Sequence, residues 1–164
     1  MKIGLMADSH DNIPMIDKAI NELNKMNVDM VLHAGDFIAP FAVARFKSLK
    51  MKLIGVYGNN DGDKALIKQK FNEIGMEIRG YFAEIKVENS KIVLLHGHEK
   101  ELIDSLVSSG AYEFIVYGHT HQVKLETLGK TLVINPGEVC GYLSGKSTIG
   151  VLDTISKEVR IIEL

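Results

Sequence analysis

Val31-Leu32-His33-Ala34-Gly35-Asp36 is a short apolar run that ends in a glycine and a carboxylate. The run 29–34 reads as a buried strand. In an open α/β sheet the loops at the carboxyl ends of such strands form the ligand crevice, so Asp36 is placed to work. Four other apolar runs also lead into polar clusters. Residues 3–7 lead into Asp8-Ser9-His10, and 53–57 into Gly58-Asn59-Asn60-Asp61. Residues 91–95 lead into His96-Gly97-His98, and 114–117 into Gly118-His119-Thr120-His121.

Between these runs the pattern is helical at first. Ile13, Ile16, Ile20, Leu23 and Met26 recur at helical spacing, with Pro14 tolerated in the first turn. Further helices are expected over 39–49 and 64–74, so the first part of the chain alternates β-α-β-α-β-α, the pattern of a parallel sheet with covering helices. The pattern then changes. Residues 81–87 and 91–95, joined by Glu88-Asn89-Ser90, resemble a β-hairpin, and 101–109 a short helix. Beyond His121 the segments 123–127, 131–134, 147–152 and 158–162 read as short, mostly antiparallel strands. Both halves fit one α/β architecture, a four-layer α-β-β-α sandwich of two mixed sheets with helices outside.

Composition bounds the function. A chain of 164 residues is the size of one ordinary domain, and one domain over 1–164 is expected, without repeat or long linker. Hydrophobic residues make up 46% and charged residues 24%, which excludes a disordered or fibrous class. With 19 basic against 21 acidic residues and no basic block, the charge does not support nucleic acid as the partner. Cys140 is the single cysteine and no long apolar span is present, so no membrane and a cytoplasmic location are expected. Exposed strands could pair, leaving a homo-oligomer possible.

Five of the six histidines lie in three strand-end loops. Asp8-Ser9-His10 and His119-Thr120-His121 each place two ligand-type side chains two residues apart, where an extended backbone points both to one side. Carboxylate, imidazole and amide together suit manganese, iron, zinc, nickel or cobalt better than magnesium or calcium. Seven ligands are expected: Asp8, His10, Asp36, Asn59, His96, His119 and His121. Seven exceed one tetrahedral site. If Asp36 bridges, two divalent transition-metal ions can share them at about 3.5–4 Å, with manganese or nickel preferred. Only two carboxylates among the ligands leave a net positive centre that would draw a phosphoryl group and deliver a bridging hydroxide in line. Ser9, Thr120 and Cys140 are weak candidates for a covalent nucleophile.

These motifs, in this order and from Asp8 to the Asn135-Pro136-Gly137 turn, resemble the calcineurin-like metallophosphoesterase superfamily, and the compact length resembles its small stand-alone phosphodiesterase branch. The resemblance implies the metallophosphoesterase fold, shared with the scaffolding retromer subunit, and a binuclear phosphodiesterase. It also implies that Asp8, His10, Asp36 and His121 hold one ion and Asp36, Asn59, His96 and His119 the other. Asn60 stands where many members carry a histidine that contacts phosphate. Asparagine can donate a hydrogen bond but cannot act as a general acid, which favours leaving groups that need little protonation or a second donor. His98 is the nearest such donor by sequence, with a supporting or solvent-facing role beside it. Asp61 either orients the 59–60 loop or caps the helix from Lys64, Asn12 either contacts phosphate or forms a turn, and His33 belongs with the core.

The expected function is hydrolysis of a small-molecule phosphodiester. The alternatives are a scaffold of the same fold with little activity, marked by an exposed apolar patch, and a nuclease, marked by a basic groove.

Overall fold

The computed structural model describes residues 1–164. Strands β1 (Lys2–Met6), β2 (Met30–His33) and β3 (Lys52–Gly55) bury nearly every residue, as near-continuous apolar runs do when both faces of a parallel sheet are covered. They pair in parallel through the crossovers α1 (Ile13–Met26) and α2 (Val43–Phe46), and α3 (Lys64–Glu73) follows β3. The two-residue strand β4 (Glu77–Ile78) closes one edge. A second sheet holds β5 (Phe82–Val87), β6 (Ser90–Leu95), β7 (Phe114–Val116), β8 (Val123–Leu128) and β9 (Thr131–Pro136), with α4 (Lys100–Ser109) between β6 and β7. The chain then returns to the first sheet with β10 (Thr148–Asp153) and β11 (Glu158–Glu163), giving the orders β11-β10-β1-β2-β3-β4 and β5-β6-β7-β9-β8.

Strand alternation sorts the apolar side chains into three buried layers. Ile3, Leu5, Leu32 and Ile54 of one sheet meet Ile85, Ile92, Leu94 and Phe114 of the other. Met6, Val31 and Leu53 point the opposite way, onto Ile16, Ile20 and Leu23 of α1 and Phe46 of α2. Val93, Ile115 and Tyr117 pack beneath Ile103 and Leu106 of α4. The result is the expected α-β-β-α sandwich of two mixed sheets, in which each fully buried Leu or Ile contributes about 1.5–3 kcal/mol.

One local expectation needs correction, and one short strand stands outside the expected elements. The helix expected over 39–49 is α-helical only over Val43–Phe46. Pro40 has no N–H, and the bonds around it, Ala42 N–H to Ala39 and Val43 N–H to Pro40, span three residues and tighten the chain into turns. β4 had no apolar run to announce it. The strands beyond His121 are mostly antiparallel, as expected: β8 pairs with β9 and β10 with both β11 and β1 in that sense, and only β9 also has a parallel partner, β7. No helix is long and apolar enough to cross a membrane.

The registers Met6↔His33, His33↔Gly55 and Leu94↔Val116 bring the carboxyl ends of five strands to one edge of the sandwich. There the two sheets are tied directly, because His96 Nδ1–H donates to the Ala34 carbonyl across 2.8 Å.

Candidate metal centre

Five of the seven candidate ligands sit on left-handed backbone: Asp8 (φ 51°), His10 (42°), Asp36 (60°), His119 (65°) and His121 (58°). Each non-glycine residue held there costs about 1–3 kcal/mol, and such strain persists only where the surroundings over-determine it. Here they do. Asp61 accepts from the backbone N–H groups of Asp36, Phe37, Ile38 and Gly58 at 2.6–3.2 Å, locking the loop after β2 to the loop after β3. Asp8 N–H donates to Gly35 and His10 N–H to the Asp36 carbonyl, and Asp8 Oδ2 accepts from His119 N–H at 2.9 Å. Gly58 and Gly118 make this closeness possible. A Cβ on Gly58 would lie 2.0 Å from Asp36 Oδ1, and one on Gly118 2.7 Å from Asp8 Oδ2.

The seven side chains converge. Around Asp8, His10 Nε2 lies 3.9 Å and His121 Nε2 3.6 Å from Oδ1. Around Asp36, His10 Nε2 lies 3.3 Å and His96 Nε2 3.5 Å from Oδ2. Asn59 Oδ1 is 2.9 Å from His96 Nε2, and the His119 ring packs edge-on to His96 with centroids 5.1 Å apart. Asp36 is thus the carboxylate that both groups share.

The hydrogen bonds fix how these groups present themselves. His96 donates Nδ1–H to a carbonyl and His121 donates Nδ1–H to Glu138 Oε2 at 2.6 Å, which leaves both Nε2 atoms as lone pairs when neutral. Those lone pairs face Asp36 and Asp8, oxygen and nitrogen acceptors turned toward one another. Asp8 Oδ1 and His10 Nε2 are buried without any hydrogen-bond partner. Acceptors arranged this way repel unless a cation lies between them, and imidazole with carboxylate is a transition-metal donor set. The residues present therefore fit a divalent metal centre.

Ionisation points the same way. Burial, followed by the neighbouring Asp36, pushes the Asp8 carboxyl up to about 8. Burial also works against Asp36, but His10, His96 and two hydrogen bonds from Asn60 hold it well below the usual carboxylate range. His96 is pushed down to about 4 by burial and so stays neutral, the ligand form. His10 is lowered by burial but raised by more through the Asp36 carboxylate beside it.

The remaining residues singled out in the sequence divide clearly. Asn60 faces Asp36 and grips both its oxygens, N–H to Oδ1 at 2.9 Å and Nδ2 to Oδ2 at 2.7 Å. His98 is exposed at the rim, its ring 6.1 Å from that of His119. Asn12 donates to the Cys140 carbonyl, Thr120 Oγ1 accepts from Asn135, and Asp63, not Asp61, caps α3 through Leu66 N–H. His33 is fully buried, bonded to Ser9 Oγ at 3.1 Å and stacked on Phe37, and it takes no part in the centre. Burial and Glu138 push the Cys140 thiol up to about 12, so it is a donor, not a nucleophile.

One important residue gave no signal in the sequence. Glu138, fully buried, accepts from His121, the Cys140 thiol, the backbone of Tyr142, Leu143 and Ser144, and the Ser144 hydroxyl. Burial opposes its ionisation, but these donors bring it down to about 2. It lies in the loop after β9, outside every motif of strand-end ligands. Only its place directly after Asn135-Pro136-Gly137 could have marked it.

Comparison with known proteins agrees with this geometry. The sequence profile of the calcineurin-like phosphoesterase superfamily domain matches residues 1–157. Phosphodiesterase MJ0936 of Methanocaldococcus jannaschii is 44% identical over 165 residues, covering 100% of this chain and 99% of the relative. A solved archaeal phosphodiesterase superposes with a TM-score of 0.96 at 43% identity, each chain covered completely. Vps29 of Entamoeba histolytica shares the fold, with a TM-score of 0.71 at 18% identity over 100% of this chain and 99% of its own.

Proposed function

This chain belongs to the calcineurin-like phosphoesterase superfamily and is a metal-dependent phosphodiesterase, and from that premise we propose that its centre takes two divalent transition-metal ions and acts on small phosphodiesters. Asp8, His10, Asp36 and His121 would hold one ion and Asp36, Asn59, His96 and His119 the other, with Asp36 common to both. The observation that carries this reading is the facing of buried acceptors, with Asp8 Oδ1 and His10 Nε2 left without partners. Manganese or nickel suits the mixed imidazole, carboxylate and amide set.

The ions, when bound, would supply Lewis acidity and an activated water for attack on phosphorus. The chain supplies the rest. Glu138 and the Ala34 carbonyl orient His121 and His96 so that each turns a lone pair inward. Asn60 holds Asp36 by both oxygens and is a positioning residue, because its amide is already engaged. His98 is the side chain at the rim that could hand a proton to the departing ester oxygen, a role the amide of Asn60 cannot fill. A scaffold would have no need of buried acceptors facing one another, and the balanced charge does not support a nuclease. The single cysteine goes with a cytoplasmic setting.

The test is to strip the metals and reconstitute separately with manganese, nickel, zinc and magnesium. Turnover of a chromogenic phosphodiester is then compared with that of the matching monoester. Manganese or nickel should give the faster enzyme, and the diester should be preferred. No turnover with any metal would overturn the reading, and faster monoester turnover would reverse the substrate preference.

A further inference from the structure

Beside the centre, bounded by the start of β5, the end of β6 and the start of α4, lies a cleft of about 370 Å³. His96 and His98 are among the residues that line it, the His96 imidazole itself being fully buried, so the cleft lies next to the proposed metal site. Its walls are Tyr81, Phe82, Leu95 and Leu102. Three of these are large apolar side chains left in solvent, Tyr81 57%, Phe82 38% and Leu102 38% exposed. Apolar groups grouped at the mouth of a polar site are a binding feature, unlike apolar residues scattered singly.

Tyr81 is also held in place. Its ring packs against that of Tyr57, centroids 5.6 Å apart and steeply inclined, and the Tyr57 hydroxyl donates to the Lys64 carbonyl at 2.7 Å. A fixed aromatic ring offers contact area without losing rotamer freedom on binding. No lysine or arginine lines the cleft, and Glu99 is its one carboxylate. An anionic group would find no partner there.

On the other side of His98 the surface differs. A groove of about 460 Å³ shares Gly97 and His98 with the cleft but carries Lys100, Asp104, Lys124 and Glu126. Another hollow, about 810 Å³ near Lys2, Asp153 and Arg160, lies at the opposite end of β1 from the centre. His98 therefore stands between an apolar and a charged channel, and each also includes a residue of the proposed centre, His96 in one and His119 in the other. A phosphodiester has two arms, and these channels are unequal.

We propose that the cleft walled by Tyr81, Phe82 and Leu102 seats one ester arm of the substrate, and that this arm is an uncharged aromatic ring. The proposal rests on the phosphodiesterase reading of the centre. It narrows the substrate class to diesters with at least one planar, neutral arm.

Phenylphosphonate and methylphosphonate separate the cleft from the centre, since they carry the same anionic head and differ only in the ring. Binding of each to the manganese-loaded protein is measured by calorimetry. Phenylphosphonate should bind about tenfold more tightly, the gain from partly burying a ring of that size. In Tyr81→Ser and Leu102→Ser, both at exposed positions that the fold does not need, that preference should fall to about twofold or less while methylphosphonate binding stays. Leu125→Ser, on the exposed strand β8 outside the cleft, should keep the full preference. Equal affinity for the two phosphonates in the unaltered protein overturns the cleft but leaves the centre intact. Failure of both to bind while manganese is retained overturns the centre and the cleft together.

Discussion

Asp8, His10 and His121 lie in the anionic half of the centre, where Glu138 grips His121 from behind and the Asp8 carboxylate is wholly buried. Asn59, His96 and His119 lie in a half with no carboxylate besides the shared Asp36, Asn59 exposed and His119 partly so. The first half packs three carboxyl groups, Asp8, Asp36 and Glu138, into a small buried volume, where burial and Asp36 raise Asp8 to about 8, so a cation is what would let all three be ionised together at neutral pH. The second half is made of neutral ligands and can wait for one. The difference teaches that the two proposed ions would be held unequally, the first as part of the structure and the second more loosely, on the side where the substrate cleft opens.

Asp36 belongs to both halves, so its removal should have the largest effect. Asp36→Ala should lose both ions and slow turnover about a thousandfold or more, as expected when the activated water and the Lewis acid are lost together. Elemental analysis after gel filtration reads the metals directly. His10→Ala and His96→Ala should each lose chiefly one ion. Retention of both ions at full occupancy in Asp36→Ala would remove the bridge and with it the idea of two linked halves.

A smaller effect would sharpen the comparison. Glu138→Gln keeps the size and an acceptor for His121 but removes the charge. It should weaken the tighter ion about 10–100-fold, the usual effect of altering a group that orients a metal-bound histidine, and leave the looser ion unchanged. Manganese titration of the stripped protein followed by calorimetry would show the two affinities drawing together. If they stay as far apart as before, buried charge is not the source of the inequality.

Glu138 also marks where sequence reading stops. Asp8, His10, Asp36, Asn59, His96, His119 and His121 were legible because each follows an apolar run, and the carboxyl ends of parallel strands must share an edge. The two sheets were legible for the same reason, from the alternation and length of those runs. Glu138 stands in a loop whose conformation is set by what it binds, six donors from four side chains or backbone stretches that only the folded chain brings together. The short α2 was misread because Val43 and Phe46 keep helical spacing while the bonds around Pro40 tighten the preceding chain into turns. The role of Asn60 was hidden because a residue's partner does not follow from its type. The amide that replaces the family histidine turns inward to Asp36.

The smallest predicted effect concerns two histidines that the same pair of loops treats in opposite ways. His10 faces the carboxylates and its pKa is raised, so in the metal-free protein its stabilising contribution is full below 6.5 and is lost as pH rises. His33, under the floor of the centre, is pushed down to about 3 by burial from its usual 6.5. Its Nδ1 accepts from Gly35 N–H, so Nε2–H donates to Ser9, and the neutral ring joins the loop of Asp8 to the loop of Asp36. Because the unfolded chain binds this proton more readily, the His33 contribution is complete above 6.5 and declines as pH falls toward 3. Between about pH 7 and about pH 5 that loss amounts to about 2 kcal/mol. His33→Gln removes the titration while keeping a donor and an acceptor in place. Urea unfolding of the metal-free proteins at the two pH values should therefore show the variant less stable at neutral pH but about 2 kcal/mol less sensitive to acid. An unchanged acid sensitivity would mean that the carboxylates of the anionic half, and not the buried imidazole beneath it, govern how the empty centre responds to protons.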